Sequence, residues 1–106
     1  MTLHNQDIIC AIATGTGGAI GVIRISGNGT IALTDKIFSK DITKAKPYTL
    51  HYGEIADSNG KTIDQVLLSV FHAPHSYTGE ESVEISCHNS PFILQTIMQL
   101  LFSHGA

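Results

Sequence analysis

The strongest constraint on the fold is the alternation of apolar and polar residues in ESVEISCH, residues 81–88. Successive side chains of an extended strand lie on opposite faces of a sheet, so this segment predicts a strand with one buried and one polar face. The buried set is Val83, Ile85 and Cys87, and the polar set is Ser82, Glu84, Ser86 and His88.

GVIRISG, residues 21–27, predicts a second strand of the same kind. Ile23 and Ile25 share one face, and Val22, Arg24 and Ser26 share the other. Antiparallel sheets commonly leave one face in water, so a solvated face is one interpretation of the polar residues. The other is a polar pocket, in which Glu84 accepts two N–H bonds from a planar heterocycle and Arg24 binds a carboxylate or carbonyl.

Two further segments predict strands. DIICAIAT, residues 7–14, is β-rich and almost continuously apolar, which indicates a buried strand. YTLHYGEIADSNGKTIDQVLLSVFHA predicts a β-hairpin with arms at residues 48–56 and 63–72. Its turn falls at Asn59-Gly60, the residue pair favoured in a type I′ turn.

Two segments change to helical periodicity. NGTIALTDKIFSK predicts a first helix, with Asn28 or Thr30 as its N-cap. NSPFILQTIMQLLFSHGA predicts a second helix, with Ser90 at the cap, Pro91 at the first position and Gly105 as the stop. Its apolar stripe is Phe92, Ile93, Ile97, Leu100 and Leu101.

The order of these elements predicts an α+β fold, with a mixed, mainly antiparallel sheet of about five strands and helices packed on one face. The chain has 106 residues, of which 42% are hydrophobic and 14% charged, so we expect one domain, residues 1–106, with a core. The sheet face without helices must then meet water, a ligand or a partner.

Charge and hydropathy argue against several functions. Six Lys and Arg against nine Asp and Glu give a net charge of −3, without a basic patch for phosphate binding. The scattered lysines indicate a solvated face: Lys36, Lys40, Lys44 and Lys46. No apolar run or signal-peptide pattern predicts membrane insertion or secretion. Cys10 and Cys87 are interpreted as reduced thiols of a cytoplasmic protein.

The other sequence patterns that could indicate a binding or catalytic site are weak. The loop GTGG, residues 15–18, lacks the Gly-Lys-Ser/Thr ending of a P-loop, so we interpret it as a turn between strands. The six histidines form no compact metal motif, and the adjacent Cys87 and His88 point to opposite faces. Cys87 is expected to face the core, which disfavours a nucleophile. We predict no catalytic residue and no metal site.

Several motifs together resemble one family, the N-terminal domain of the tRNA-modifying GTPase MnmE, also called TrmE. The matching segments are DIICAIAT, GAIGVIRISG, LHYGEIAD, IDQVLLSVFHAPHSYTGEESVEISCHNSPFILQ and LLFSHGA, which cover nearly the whole chain. PHSYTGE followed by VEISCH is the most specific of them.

The resemblance implies a fold similar to the folate-binding domain of aminomethyltransferase-like proteins, a homodimer through this domain, and binding of 5-formyl-tetrahydrofolate or a related folate. The family's folate contacts include an Arg in its R-x-S-G strand and a Glu in its V-E-[IL] strand, which correspond to Arg24 and Glu84. Glu84 would then bind the amide and amino edge of the pterin, and Arg24 an acidic or carbonyl group. Both are residues that the strand pattern already places on a polar face.

For the full-length protein, the resemblance implies GTP hydrolysis that depends on potassium and magnesium. It also implies addition of an aminomethyl-type group at carbon 5 of the wobble uridine of certain tRNAs, with an MnmG (GidA)-type flavoprotein as partner. We expect this chain to be a fragment without the helical domain, the GTPase motifs and a further folate-binding Lys. It has GTGG where the family often has PPGRG, and CHNSP in place of CHGGP. A purely structural dimerisation domain and a folate-dependent aminomethyl-transfer enzyme are the alternatives.

Overall fold

The computed structural model describes residues 8–13, 18–71 and 80–106 as a five-stranded sheet with two helices, which confirms the α+β class. The strands are β1 (Ile9–Ile12), β2 (Ile20–Ser26), β3 (Thr49–Ala56), β4 (Thr62–Phe71) and β5 (Ser82–His88). The helices are α1 (Thr30–Asp35) and α2 (Pro91–Ser103). Residues 1–7, 14–17 and 72–79 lie outside the described residues, and with them most of the loop GTGG and most of PHSYTGE.

The strands lie in the order β1-β2-β5-β4-β3, and each neighbouring pair is antiparallel. The strand predicted in residues 7–14 is present, but the prediction that it is buried is wrong, because β1 lies at the edge of the sheet and Ile9 is 66% exposed. The mainly antiparallel sheet is confirmed. The prediction of a mixed sheet is wrong, because the described strands include no parallel pair. β5 is the last strand along the chain and lies in the middle of the sheet. It joins the pair β1-β2 to the hairpin β3-β4 because it runs antiparallel to both β2 and β4.

The core lies between one face of the sheet and the helices. Alternate side chains of β2, β4 and β5 point toward the helices, as the sequence alternation predicts. The core side chains with no exposed surface on these elements are Ile23, Ile25, Leu68, Val70, Val83, Ile85, Ile97 and Leu101. Each stabilises the fold by about 1.5–3 kcal/mol relative to an exposed side chain. Cys87 is buried on the same face, as predicted.

The start of α2 is formed as predicted. The hydroxyl of Ser90 accepts the N–H of Ile93 at 3.4 Å, and Pro91 occupies the first helical position. The predicted apolar stripe is partly wrong, because the buried positions are Leu94, Ile97 and Leu101. Phe92 lies on the outer side of the helix and is 73% exposed.

α1 is capped by a distant residue. Its N-cap is Gly29, which has a φ of 93° and no side-chain cap, so the prediction of Asn28 or Thr30 is wrong. Instead, Oε1 of Glu81 accepts the N–H of Ile31 at 2.9 Å. This partner satisfies a free helix N–H from another part of the chain, which a local sequence pattern does not reveal.

β3 and β4 form the predicted hairpin, but the turn differs. A type I′ turn needs a positive φ at both Asn59 and Gly60, and only Gly60 has one, at 82°. The carboxylate of Asp57 accepts the N–H groups of Asn59 and Lys61, each at 2.9 Å, and so holds a longer loop before β4. The hairpin is confirmed and the type I′ turn is wrong.

Two sequence predictions concern the surface. Lys36, Lys40, Lys44 and Lys46 are all exposed, as expected for a solvated face. Within the described ranges, neither helix is long and apolar enough to cross a membrane.

Candidate functional site

The sheet face away from the helices, called the open face below, carries Arg24 and Glu84. It is formed by the polar positions of β2 and β5 and by their cross-strand neighbours on β1, β4 and β3. Arg24 lies directly opposite Glu84 in the register of β2 and β5. The sequence pattern predicts a polar face for each residue, and the strand order brings the two residues together.

Arg24 and Glu84 form an ion pair. Nε and Nη2 of Arg24 each lie 2.8 Å from Oε2 of Glu84. The two side chains are 43% and 22% exposed, so water screens the charges and the pair stabilises the fold by about 0–1 kcal/mol. A pair this weak can separate at little cost when another molecule offers better partners.

Large apolar side chains lie around this pair on the open face. They are Ile9, Ile20, Leu50, Tyr52 and Leu67, which are between 43% and 68% exposed. Apolar side chains grouped on one exposed face are typical of a surface that contacts a ligand or another protein.

Asp64 and His88 form a second pair, which the sequence analysis missed. The side chain of Asp64 is 8% exposed, and its carboxylate lies 2.8 Å from both the backbone nitrogen and Nδ1 of His88. A signal is present in IDQVLLSV, because Asp64 alternates in step with the buried Val66 and Leu68. A carboxylate at a buried strand position needs a hydrogen-bond partner.

Cys87 is a protonated core thiol. Burial, together with the negative charge of Asp64, raises the pKa of Cys87 to about 11. Burial also raises the pKa of Cys10, and both cysteines are free thiols. Since the thiolate is the nucleophilic form, neither pKa favours nucleophilic chemistry at neutral pH.

Asn89 and Ser90, which replace two glycines of the family pattern, fit without backbone strain. Among the described non-glycine residues, only Tyr48 has a positive φ. Asn89 donates its backbone N–H to the carbonyl of Ala19 at 3.0 Å and its side-chain amide to the carbonyl of Gly18 at 2.8 Å. These bonds fasten the segment before β2 to the start of α2, and the side-chain bond is one that a glycine cannot make.

The described histidines do not gather at one place. Nε2 of His51 lies 2.8 Å from Oγ1 of Thr49, and Nδ1 of His104 lies 2.9 Å from the carbonyl oxygen of Leu100. In the part of the chain that the structure describes, no three His, Cys, Asp or Glu side chains are placed to hold a metal ion. The remaining histidines, His4, His72 and His75, lie outside that part.

Comparison with known families gives a match over nearly the whole chain. Residues 8–106 match the family model described as GTP-binding protein TrmE N-terminus. The matched segment contains both Arg24 and Glu84, together with all five strands and both helices.

Curated relatives are similar to this chain over a limited part of their own length. The tRNA modification GTPase MnmE of Bacteroides thetaiotaomicron is 55% identical over 106 residues, which cover 95% of this chain and 23% of the relative. That of Flavobacterium johnsoniae is 55% identical over 106 residues, with 95% and 22% covered. That of Carboxydothermus hydrogenoformans is 44% identical over 106 residues, with 94% and 23% covered. The chain therefore spans about a quarter of the length of these relatives.

Proposed function

Because this chain belongs to the family of the GTP-binding protein TrmE N-terminus, we propose that it is the folate-binding and self-associating N-terminal domain of a tRNA-modifying GTPase. Its ligand is 5-formyl-tetrahydrofolate or a related folate. The open face binds this ligand through Arg24 and Glu84.

In this proposal, the remaining activity belongs to a longer protein of the cytoplasm. GTP hydrolysis, with potassium and magnesium, takes place in a domain beyond this chain. The complete protein acts with an MnmG-type flavoprotein on the wobble uridine of tRNA. The relatives are named tRNA modification GTPases, which supports this part of the proposal.

The observation that carries the folate proposal is the position of Arg24 opposite Glu84 on an uncovered sheet face. A carboxylate accepts two parallel N–H bonds, which suits the amide and amino edge of a pterin. A guanidinium donates two such bonds, which suits an acidic or carbonyl group. The two side chains can therefore recognise different parts of one ligand.

Ligand binding requires the ion pair to rearrange, and the relevant energies favour this. The exposed pair contributes about 0–1 kcal/mol, whereas a hydrogen bond to a charged group contributes about 1.5–3 kcal/mol. Two N–H bonds from a pterin to Glu84 therefore outweigh the contact that Arg24 gives up.

Self-association through the open face is the second part of the proposal. A second copy over this face would cover Ile9, Ile20, Leu50, Tyr52 and Leu67, at about 25 cal/mol per Å² of apolar surface buried. It would also exclude water from Arg24 and Glu84, which strengthens their bonds to a ligand. A sizing run at two protein concentrations is expected to show a dimer at the higher one. A monomer at both would contradict this part.

Calorimetric titration with 5-formyl-tetrahydrofolate tests the folate site. We expect weak binding by the wild-type chain and at least about a tenfold loss in Glu84→Gln, because the neutral amide turns one acceptor into a donor. Glu54→Gln is the matched control, since Glu54 lies at the end of the hairpin, where it accepts a bond from Thr62. No binding by the wild type, or equal binding by Glu84→Gln, would contradict the proposal.

A purely structural dimerisation domain is the second candidate. The observation in its favour is the direct contact of Arg24 with Glu84, which pairs both charges without a ligand. In that case the chain dimerises and folate produces no heat in the same titration.

A further inference from the structure

At the end of β5, the side chain of Asp64 takes the place of a backbone hydrogen-bond acceptor from β4. The described pairing of β4 with β5 ends at Leu67↔Ser86. Beyond that pair, the carboxylate of Asp64 accepts the backbone N–H of His88 at 2.8 Å, where a carbonyl of β4 would be the partner in a longer ladder. The carboxylate is therefore fixed by the backbone as well as by the imidazole ring.

This contact holds the neutral His88 ring in one tautomer. Nδ1 lies 2.8 Å from Oδ1 and 3.1 Å from Oδ2 of Asp64. A carboxylate only accepts hydrogen bonds, so Nδ1 carries the proton and Nε2 of the neutral ring is an acceptor. The side chain is 73% exposed, and Nε2 makes no hydrogen bond among the described residues. A histidine oriented in this way by a buried carboxylate is the arrangement that enzymes use to present Nε2.

His88 lines a hollow of about 180 Å³ on the open face. The other side chains around it include Ile20, Tyr52, Gln65, Leu67 and Ser86. A cavity of about 150 Å³ holds a benzene molecule, so the hollow has room for one six-membered ring. Ile20 and Leu67 supply apolar contacts for the faces of such a ring.

The polar groups of the hollow combine one acceptor with two donors. The hydroxyl of Tyr52 donates to Oε1 of Gln65 at 2.6 Å, which leaves the amide nitrogen of Gln65 as a donor. The hydroxyl of Ser86 makes no hydrogen bond within the described ranges and is a second donor. An acceptor beside two donors complements an imide edge, where an N–H lies between two carbonyl oxygens.

We propose that this hollow binds a single six-membered heteroaromatic ring with an imide or amide N–H, which donates its hydrogen to Nε2 of His88. Asp64 is the positioning residue that keeps the proton on Nδ1. The hollow lies beside the ion pair on the open face, since Ser86 lies two residues from Glu84 along β5, or about 7 Å. The inference goes beyond the folate proposal and does not depend on it.

NMR titration of the ¹⁵N-labelled chain with uracil, at a protein concentration at which the chain is a monomer and the hollow is uncovered, tests the site. We expect the largest amide shifts at Leu67, Ser86 and His88, with saturation on the order of millimolar uracil, because one small ring buries little surface. 1,3-Dimethyluracil has the same ring without an N–H and is expected to bind at least about tenfold more weakly. Equal binding of the two compounds, or shifts confined to other parts of the chain, would overturn the proposal.

Two variants separate the acceptor from the shape of the hollow. His88→Phe keeps a flat ring and removes Nε2, so uracil binding is expected to fall about tenfold. His104→Phe, which changes a histidine at the end of α2, is expected to bind uracil as the wild type does. Since the side chain of His88 is mostly exposed, His88→Phe is expected to fold.

Asp64→Asn tests the positioning role. The new amide can donate to Nδ1, which moves the ring proton to Nε2 and turns the acceptor into a donor. Uracil binding is then expected to fall about as much as in His88→Phe. Long-range ¹H–¹⁵N spectra are expected to show the proton on Nδ1 in the wild type and on Nε2 in the variant. A wild-type ring protonated on Nε2 alone would refute the assignment.

A cyclic amide edge occurs in a pyrimidine base and in the pterin ring of a folate, so a competition experiment identifies the source. If 5-formyl-tetrahydrofolate displaces uracil from the hollow, the ring belongs to the cofactor. If both bind together, the hollow is a separate site for a base. Either result supports the proposal, whereas absence of uracil binding to the wild-type chain overturns it and leaves the folate site untouched.

Discussion

The two faces of the sheet are made from the same strands and differ in what they contribute. Toward the helices, Ile23, Leu68 and Ile85 have no exposed surface. On the open face, the residues adjacent to these in sequence, which are Arg24, Leu67 and Glu84, keep contact with water. Because side chains alternate, a substitution at one position changes the core, and a substitution at its neighbour changes the open face.

The largest difference in stability is expected between substitutions of Leu68 and Leu67, which are adjacent in β4. Leu68→Ala should lower the free energy of unfolding by about 2–5 kcal/mol, because it leaves a cavity in the core. Leu67→Ala should lower it by less than about 1 kcal/mol, since Leu67 is 43% exposed. Urea unfolding of the two variants, at a protein concentration at which the chain is a monomer, makes the measurement. Similar losses in both would mean that Leu67 packs as deeply as Leu68 within one chain and that the two faces do not differ.

Cys87, on the core face, is expected to react more slowly in the folded chain than in the unfolded chain. Its pKa of about 11, against 9.0 for an ordinary thiol, means about a hundredfold less thiolate at pH 8. Alkylation of Cys87 by iodoacetamide should therefore be at least about a hundredfold slower in the folded chain than in urea.

The same raised pKa predicts how stability varies with pH. The folded chain holds the thiol proton more tightly than the unfolded chain, so this contribution is complete below about pH 9 and is lost as the pH rises toward 11. Cys87→Ala should remove this part of the pH dependence. Equal alkylation rates in the folded and unfolded chains would show that Cys87 does not face the core.

The smallest effect is expected for the ion pair of the open face. A double-mutant cycle with Arg24→Ala and Glu84→Ala should give a coupling energy of no more than about 1 kcal/mol in urea unfolding. A coupling above about 2 kcal/mol would indicate a desolvated pair whose main role is structural. The cycle therefore measures the energy that a ligand must supply to separate Arg24 from Glu84.

The alternation of the strands made much of this structure predictable. The period of two in ESVEISCH and GVIRISG correctly assigns Ile85 and Ile23 to the core and Glu84 and Arg24 to the other face. Ser90 and Pro91 correctly mark the start of α2, because capping depends on neighbouring residues.

Several features that were not predicted depend on residues far apart in the chain. Glu81 caps α1 across a sequence separation of 50 residues, and Asp64 holds His88 across 24. The contact between Arg24 and Glu84 spans 60 residues and follows from the central place of β5, which no local pattern specifies. The prediction of a type I′ turn at Asn59-Gly60 was wrong for a different reason, since Asp57 supplies a competing set of hydrogen bonds.

The central place of β5 also bears on how the chain folds. β1-β2 and β3-β4 pair strands that are consecutive in sequence, so each pair can form early. Neither pair contacts the other in the sheet until β5 enters between them. β5 follows β4 closely in sequence, but its pairing with β2 closes a long loop that contains α1, β3 and β4, which is entropically costly. During synthesis, both pairs therefore wait with an unpaired edge, which is where strands of other molecules can attach. We expect arrival of β5 to be the late step that protects the nascent domain from aggregation.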